Sequence, residues 1–251
     1  MPITIKSPRE IELMKEAGRI LEIVHEEMAK ALRPGMSTLE IDKLGEEVIR
    51  SYGCVPSFLN YNGYPASVCV SVNDEVVHGI PSSKRIIKEG DIVGLDAGVI
   101  YKGYHSDAAR THAIGEVSEE AKNLIRVTKE SFFEGIKYAK EGNYLFEISA
   151  AIGKYARERG YGVVRDLCGH GIGAQLHEAP EIPNYEMGRR GARLRKGMTL
   201  AIEPMINIGT HAVEWLDDDW TVVTADGSLS AHYENTVLIT EGEPVLLTLS
   251  K

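Results

Sequence analysis

Apolar side chains recur at helical spacing in four stretches of the chain, arranged as two pairs. The first stretch begins at Ser7-Pro8-Arg9-Glu10, a capping box with proline at the first helical position, and ends before Pro34-Gly35. The same spacing predicts three further helices, over residues 37–53, 118–140 and 144–159.

Short apolar runs rich in valine, isoleucine and threonine follow each helix pair and predict β-strands. The runs cover residues 67–72, 92–101, 105–114, 199–206, 221–224, 232–240 and 245–249. Because two helices accompany a set of strands in each part of the chain, the pattern predicts an α+β fold. Two helix pairs would cover one face of a curved, largely antiparallel sheet.

The chain resembles itself in two places, which indicates an internal duplication. The matching segments are 34–41 (PGMSTLEI) with 141–148 (EGNYLFEI), and 90–96 (GDIVGLD) with 197–203 (GMTLAIE), both at an offset of 107 residues. Two looser matches in the same order pair His78 with His170 and Asp107 with Glu234. The duplication predicts a pseudo-two-fold arrangement of corresponding groups around a central cleft.

The composition sets the class of protein and its location. No linker rich in proline, glycine or serine separates the two copies, so we expect one catalytic domain, residues 1–251, made of two pseudo-symmetric halves of about 1–115 and 116–251. The net charge of −9 argues against specific binding to nucleic acid or to an anionic membrane. There is no membrane-spanning run, no signal peptide and no CxxC pair among the three cysteines, so we expect a cytoplasmic protein. We also expect it to be a monomer.

One segment is strongly basic, although the chain as a whole is acidic. Residues 189–196 (RRGARLRK) carry five basic side chains in eight positions. In so acidic a chain this run favours a solvated loop, and a transient contact with the ribosome is the alternative.

Five residues in apolar, glycine-bounded stretches carry the candidate chemistry: Asp96, Asp107, His170, Glu203 and Glu234. A carboxylate in such a stretch is costly to bury unless it is paired or bound to a cation. Four carboxylates converging in a core would repel one another, and divalent metal would remove that repulsion. Four acidic groups suit two ions better than one, and oxygen ligands with a single nitrogen favour cobalt, manganese, iron or zinc.

Two further histidines are candidates for direct contact with a substrate. His78 corresponds to His170 in the duplication, and His177 lies seven residues after His170 on a segment expected to turn back along the same cleft. Taken singly, each is equally well explained as a packed histidine of the core or rim. His25, on the first helix, is expected to be solvated. The chain completes no HExxH zinc motif, phosphate-binding loop or serine-hydrolase elbow.

With these motifs, the chain resembles the bacterial type I methionine aminopeptidases of peptidase family M24, which have the pita-bread fold. The resemblance runs nearly from end to end. It rests on NYNGYPASVCVSVNDEVVHGIP (60–81), GDIVGLDAGVIYKGYHSDAARTHAIG (90–115), CGHGIGAQLHEAP (168–180), GMTLAIEPM (197–205) and DDWTVVTADGSLSAHYENTVLIT (218–240).

The resemblance implies a metal-ligand role for each of the five candidate residues in apolar stretches. Asp107 and Glu234 would bridge two metal ions, and Asp96 would bind one of them. His170 and Glu203 would complete the other ion's ligands. A water activated by the two ions would be the nucleophile.

The same resemblance implies the reaction and its catalytic groups. Glu203 would take and relay the proton of the attacking water, while His78 and His177 would hold the scissile amide and stabilise its oxyanion. The implied activity is removal of the N-terminal methionine from nascent proteins and peptides when the second residue is small. The chain's own Met1-Pro2 start meets that rule, so self-processing is an open expectation.

The family's methionine pocket also has counterparts in this sequence: Tyr61, Tyr64, Cys69 and Trp220. An aromatic and sulfur lining suits a flexible thioether. Phe58 departs from the family pattern, where a smaller residue, often cysteine, is expected, and so it could narrow the pocket.

Two alternatives from other functional classes stay open at this point. One is a related metallopeptidase that cuts before proline, against which the short length and the set of Tyr61, Tyr64 and Trp220 argue. The other is an inactive module that only binds peptides. The intact set of candidate ligands argues against it, because a binding module needs no buried carboxylates.

Overall fold

The computed structural model describes residues 2–249, so Met1 and the question of its self-processing lie outside the described residues. All four predicted helices are present, each beginning one residue after its predicted start. Their bounds are α1 Pro8–Ala31, α2 Thr38–Ser51, α3 Glu119–Ile136 and α4 Leu145–Arg157, with a short 3₁₀ helix at Tyr61–Gly63. The capping box of α1 is formed, because the Ser7 backbone N–H donates to the Glu10 carboxylate at 2.7 Å.

Fifteen short strands are described, and every pairing between them is antiparallel. Their bounds are β1 Val55–Pro56, β2 Val68–Val72, β3 Glu75–Val77, β4 Ile92–Tyr101, β5 Tyr104–Ala113, β6 Gly162–Val163, β7 Gly169–Gly171, β8 Glu178–Ile182, β9 Thr199–Ile202, β10 Met205–Asn207, β11 Val213–Trp215, β12 Val222–Thr224, β13 Ser230–His232, β14 Asn235–Leu238 and β15 Val245–Leu246. They form four hydrogen-bonded groups, of which β1-β4-β2 with β5 and β15-β14-β9-β7-β8 are the largest. The predicted α+β class with antiparallel strands is confirmed.

Two predicted strands are each broken in the middle. The run 199–206 divides into β9 and β10 at Glu203-Pro204, and the run 232–240 divides into β13 and β14 at Tyr233-Glu234. Proline has no N–H to donate to a strand ladder, which accounts for the first break. At the second break the Glu234 N–H donates to Ala109 O on β5 instead of to its own ladder. Both breaks are points where a strand passes from one hydrogen-bonded group to another.

Each helix pair covers one of the two strands, β4 and β9, that correspond in the internal sequence match. Helices α1 and α2 pack on β2 and β4, through a buried cluster that includes Leu21, Val24, Ile41, Val70, Leu95 and Val99. The second pair, α3 and α4, packs against β9 and β14, through a cluster that includes Phe132, Ile148, Leu200, Ile202 and Val237. The predicted arrangement of two helix pairs against antiparallel strands is therefore present.

The expectation that His25 is solvated was wrong. His25 is buried, and its Nε2–H donates to Ala108 O of β5 at 2.8 Å. The ring lies on the same face of α1 as Leu21 and Met28, so it belongs to the packing surface between α1 and the sheet.

None of the helices between residues 2 and 249 is long and apolar enough to span a membrane.

Candidate metal centre and substrate pocket

A cavity of about 210 Å³ opens where the strand groups meet. It is lined by every residue that the sequence predicted for the site: Phe58, Tyr61, Tyr64, Cys69, His78, Asp96, Asp107, His170, His177, Glu203, Trp220 and Glu234. Residues separated by up to 176 positions along the chain therefore share one cavity.

The β4–β5 hairpin positions the first two carboxylates. Asp96 pairs with Ala109 and Asp107 pairs with Gly98, so the two acids lie diagonally across adjacent strands on the same face. The hairpin is closed by Lys102 and Gly103, whose φ angles of 47° and 87° are those of a tight two-residue turn. Asp107 is buried, and Asp96 is partly exposed to the cavity.

The two strand breaks position the other two carboxylates. Glu203 lies between β9 and β10, and Glu234 lies between β13 and β14. These strands are paired on both sides of the breaks, with β9 against β14 and β10 against β13. The two glutamates therefore lie at the same level of neighbouring strands, where no regular ladder competes for their space.

His170 lies in the middle of β7 between two glycines that allow a close approach of neighbouring strands. A Cβ at Gly169 would lie 2.3 Å from Ala201 O, and one at Gly171 would lie 2.2 Å from Ala179 O, so no larger residue fits. The His170 Nδ1–H donates to Gly171 O at 2.8 Å. Its Nε2 therefore keeps a free lone pair, which is the form of imidazole that binds metals.

The free nitrogen of His170 is directed at the acidic cluster. His170 Nε2 is 3.6 Å from Glu203 Oε1 and 3.9 Å from Asp107 Oδ2. Ligand atoms of Asp107, His170 and Glu234 all lie within 4.8 Å of one another. Small movements would bring these three atoms into the bonding range of one ion. Asp96 and Glu203 flank the group.

The protonation of the carboxylates reflects burial and mutual repulsion. Burial, and then repulsion from neighbouring acids, raises the pKa of Asp107, Glu203 and Glu234 well above the ordinary range. Burial also raises the pKa of Asp96 to about 7, although a hydrogen bond with Asp107 opposes the shift. Without a cation, these carboxyl groups therefore favour the protonated form. A bound cation would instead stabilise the charged form.

Unpaired oxygens provide a test of whether a cation fits. Asp96 Oδ1, Asp107 Oδ1 and Glu234 Oε1 are buried and have no hydrogen-bond partner among residues 2–249. Native proteins rarely leave buried polar atoms unpaired without a ligand, water or ion to take the partner's place. Oxygen atoms of this kind beside a neutral imidazole are suitable ligands for a divalent transition metal, so the residues present fit such an ion.

The two remaining histidines flank the metal-binding group. His78 follows β3 with φ at 60°, a left-handed conformation that is uncommon for residues other than glycine. The His177 ring lies with its centroid 4.2 Å from that of His170, and its Nδ1 is hydrogen-bonded to the Tyr61 hydroxyl at 2.8 Å. Both imidazoles line the same cavity as the carboxylates.

Aromatic rings line another part of the cavity wall. Tyr64 and Trp220 meet edge to face with their centroids 5.1 Å apart, and the Tyr64 hydroxyl donates to Gly79 O at 3.0 Å. Phe58 and Cys69 are buried beside them. The wall is apolar, and the Tyr64 hydroxyl is already bonded, so it favours an unbranched apolar side chain.

Sequence reasoning missed several contributors to the cavity. The additional lining residues are Asn62, Val77, Leu167, Cys168, Leu176 and Met205. Three of these are direct neighbours of predicted residues and the other three lie within three positions of one, so a signal was present in the motifs. His232 was also missed, although its buried Nε2 lies 3.8 Å from Glu203 Oε2. Burial, with repulsion from His78 and Arg110, lowers the pKa of His232 to about 3, so the ring is neutral.

Comparison with known proteins gives a consistent result. A model of metallopeptidase family M24 matches residues 12–241. The methionine aminopeptidase of Clostridium acetobutylicum is 54% identical over 247 residues, covering 98% of this chain and 99% of that protein. Methionine aminopeptidase 1 of Bacillus subtilis is 49% identical over 239 residues, covering 95% and 96% respectively.

A solved structure agrees with the sequence matches. The crystal structure of the methionine aminopeptidase from Thermotoga maritima superposes with a TM-score of 0.97 at 45% identity, covering 99% of this chain and 100% of that one. This likeness confirms the pita-bread fold expected from the sequence motifs. Together with the family match over most of the chain, it shows that the chain belongs to metallopeptidase family M24.

Proposed function

We propose that this protein removes the N-terminal methionine from nascent proteins and peptides whose second residue is small. The observation that carries the proposal is one cavity that is lined both by a metal-binding acidic cluster and by an aromatic and sulfur surface. Relatives that match nearly the whole chain are named methionine aminopeptidases.

Membership of family M24 implies the use of divalent metal, and the acidic cluster fits it. Our finer proposal is two ions, of cobalt, manganese, iron or zinc, with Asp107 and Glu234 bridging them. Asp96 would bind one ion, and His170 with Glu203 would bind the other. Bound divalent ions lower the pKa of water and polarise a carbonyl group. In this arrangement each of the two proposed halves, 1–115 and 116–251, supplies ligands.

The side chains of the protein would do the remaining work. The Glu203 carboxylate, whose pKa burial raises, would accept the proton from the attacking water and pass it to the leaving amine. His78 and His177 would donate hydrogen bonds to the scissile amide and to the oxyanion that develops from its carbonyl. The substrate's free amine would lie near the acidic cluster, which would restrict cleavage to the first peptide bond.

The aromatic wall would select the first residue. Tyr61, Tyr64, Cys69 and Trp220 would surround the methionine side chain, and the polarizable thioether suits such a lining. The second residue would have to pass between the metal-binding group and the two histidines, so only small residues would be accepted. Phe58, buried at this wall, would narrow the pocket and act on KM rather than on the identity of the preferred residue.

A panel of peptides tests the substrate proposal. We expect fast cleavage of Met-Gly and Met-Ala peptides, slow cleavage of Met-Leu peptides, and little cleavage of Leu-Gly or Ala-Pro controls. Comparable rates on Leu-Gly would contradict selection of methionine. Faster cleavage before proline, whatever the first residue, would instead support a proline-directed peptidase, and metal-bound protein without any cleavage would indicate a binding module.

Substitution of single ligands and donors tests the division of roles. Asp107→Ala and Glu234→Ala should abolish turnover and lower the metal content, while the exposed Asp217→Asn should change neither. His78→Asn and His177→Ala should keep the metal but lose kcat by roughly 10²–10³-fold, as for removal of one oxyanion donor. Asparagine is chosen at position 78 because it tolerates a positive φ. Loss of metal in either histidine variant would show that a ligand had been misassigned.

The cellular setting belongs to the same proposal. We place the enzyme in the cytoplasm as a monomer, where it would meet nascent chains. The basic run 189–196 is mostly exposed, although Lys196 is paired with Glu241 and the Arg190 guanidinium stacks over the Tyr144 ring. A transient ribosome contact through this run predicts that Arg189→Glu/Arg190→Glu would reduce co-sedimentation with ribosomes at low salt. Peptide cleavage should be unchanged, and unaltered sedimentation would remove the ribosome contact from the proposal.

A further inference from the structure

His232 is a buried histidine next to the proposed proton relay. It closes β13, where its backbone pairs with Met205 of β10. Its N–H donates to Thr111 Oγ1 and its carbonyl accepts from the same hydroxyl, both at 2.9 Å. Because the backbone is held on both sides, the position of the His232 Cβ is set by the fold.

The His232 ring nitrogen nearest to Glu203 has no partner among the described residues. Its Nε2 is buried, forms no hydrogen bond, and lies 3.8 Å from Glu203 Oε2. That distance is too long for a hydrogen bond, but a modest rotation of the Glu203 side chain would close it. Hydrogen bonds in catalytic sites are commonly long before the site is loaded and shorten afterwards.

The opposite side of Glu203 cannot supply the missing donor. Glu203 Oε1 faces His170 Nε2 at 3.6 Å, and this nitrogen has no proton because His170 Nδ1–H is committed to Gly171 O. The Glu203 carboxylate therefore lies between two imidazoles, one of which presents a lone pair. The other, His232, is placed to present an N–H.

We propose that His232 is a positioning residue for Glu203, donating from Nε2–H to Glu203 Oε2 so that the carboxylate is held in one rotamer. Glu203 Oε1 then faces the metal-binding group and the attacking water. This assignment rests on the proposed function only for its effect on turnover. The proposed hydrogen bond itself can be tested without turnover.

The length of the side chain at position 232 provides a matched set of variants. The amide nitrogen of glutamine reaches about as far from the backbone as histidine Nε2, whereas that of asparagine reaches only as far as Nδ1. Leucine fills similar space without a donor. His232→Leu and His232→Asn should lower kcat and weaken metal binding by roughly 10–100-fold, the usual effect of removing a group that orients a ligand. His232→Gln should restore both to within about threefold of the unmodified protein.

Several readouts separate positioning from simple packing. KM for a Met-Gly peptide should stay within about twofold in all three variants, because the aromatic wall is untouched, and the exposed His211→Leu should match the unmodified protein throughout. Metal affinity is measured by calorimetry with zinc alone. Nitrogen-15 NMR of labelled histidines in the zinc-loaded protein should show the His232 proton on Nε2, with a shift that changes in Glu203→Gln.

Three results would overturn the proposal: unchanged kcat and zinc affinity in His232→Leu, equal losses in the leucine and glutamine variants with lowered melting temperatures, or a proton on Nδ1. If His232→Leu did not fold, the glutamine variant and the NMR signal of the unmodified protein would still decide the question. If the unmodified protein cleaved no Met-Gly peptide, the proposed function would fail. The zinc affinity and NMR results would then still support or contradict the His232–Glu203 contact.

Discussion

At the scale of single residues, His170 and His177 are each held through one ring nitrogen, which leaves the other free. Gly171 O holds His170, and the Tyr61 hydroxyl holds His177. Which nitrogen is held decides what the free one can do. His170 keeps a lone pair for a cation, whereas a hydroxyl that donates to His177 Nδ1 would leave the proton on Nε2, as an oxyanion donor requires.

Tyr61 can therefore be tested as an orienting group rather than as part of the pocket wall. Tyr61→Phe keeps the aromatic surface and removes only the hydroxyl, so we expect kcat to fall by about 10-fold with KM little changed. The exposed Tyr138→Phe is the control. Steady-state kinetics on a Met-Gly peptide make the distinction, and a rise in KM at constant kcat would assign Tyr61 to the pocket alone.

The residues of the site could be predicted because each candidate group lies in a recognisable local motif. Each predicted acid stands in an apolar, glycine-bounded stretch, where a carboxylate without a partner or a cation would be costly to bury. His25 shows where the same reasoning was wrong. It is four residues after Leu21 and three before Met28, so the helical spacing places it on the buried face of α1. The prediction gave more weight to the polar side chain than to this spacing. His232 carried no comparable signal, because its contact with Glu203 depends on how two broken strands align.

At the scale of elements, the long segments were predictable and the short ones were not. All four helices begin within one residue of their predicted starts, and β2, β4 and β5 lie within one residue of their predicted bounds. Strands of two or three residues, such as β1, β3 and β7, are too short to show alternation between polar and apolar positions. The breaks at Glu203 and Glu234 depend on contacts between distant segments, which no local pattern contains.

The close approach of β7 to its neighbour gives a prediction at this scale. Gly171→Ala would place a methyl group 2.2 Å from Ala179 O, so β7 or β8 must move and His170 must move with it. We expect a loss of about 1–3 kcal/mol in the free energy of unfolding and weaker metal binding. Gly242→Ala, where nothing lies within 4 Å of the added carbon, is the matched control. Thermal unfolding and zinc titration measure the two effects, and equal behaviour of both variants would contradict the packing argument.

At the scale of the whole molecule, the acidic cluster links stability to pH. Because the pKa values of Asp107, Glu203 and Glu234 are raised, and that of Asp96 to about 7, these carboxyls keep protons in the folded protein that the unfolded chain has lost. Stability of the metal-free protein therefore loses this contribution as the pH rises from about 4 through the raised values. A divalent ion binds the deprotonated form, so its stabilising effect should grow over the same range.

The measurement is the difference in melting temperature between protein with excess zinc and protein with a chelator. We expect this difference to increase from pH 5 to pH 7.5. In Asp107→Asn/Glu234→Gln, which lacks two of the four acidic groups, the difference should be small and nearly independent of pH. A difference of the same size at both pH values in the unmodified protein would show that the cluster does not exchange protons for the cation.

The β4–β5 hairpin has a consequence for how this sequence can change over time. Asp96 and Asp107 lie on the same face of the sheet because β4 and β5 are joined by a tight turn at Lys102-Gly103 and pair without a register shift. One residue inserted between Tyr104 and Asp107 would turn that carboxylate to the far face if the ladder before it kept its pairing. Two would restore the face but shift the acid by about 7 Å. Substitutions can therefore accumulate along the hairpin, but insertions and deletions that shift the pairing between the two acids cannot, so the register of the hairpin is as much a requirement of the site as the acids themselves.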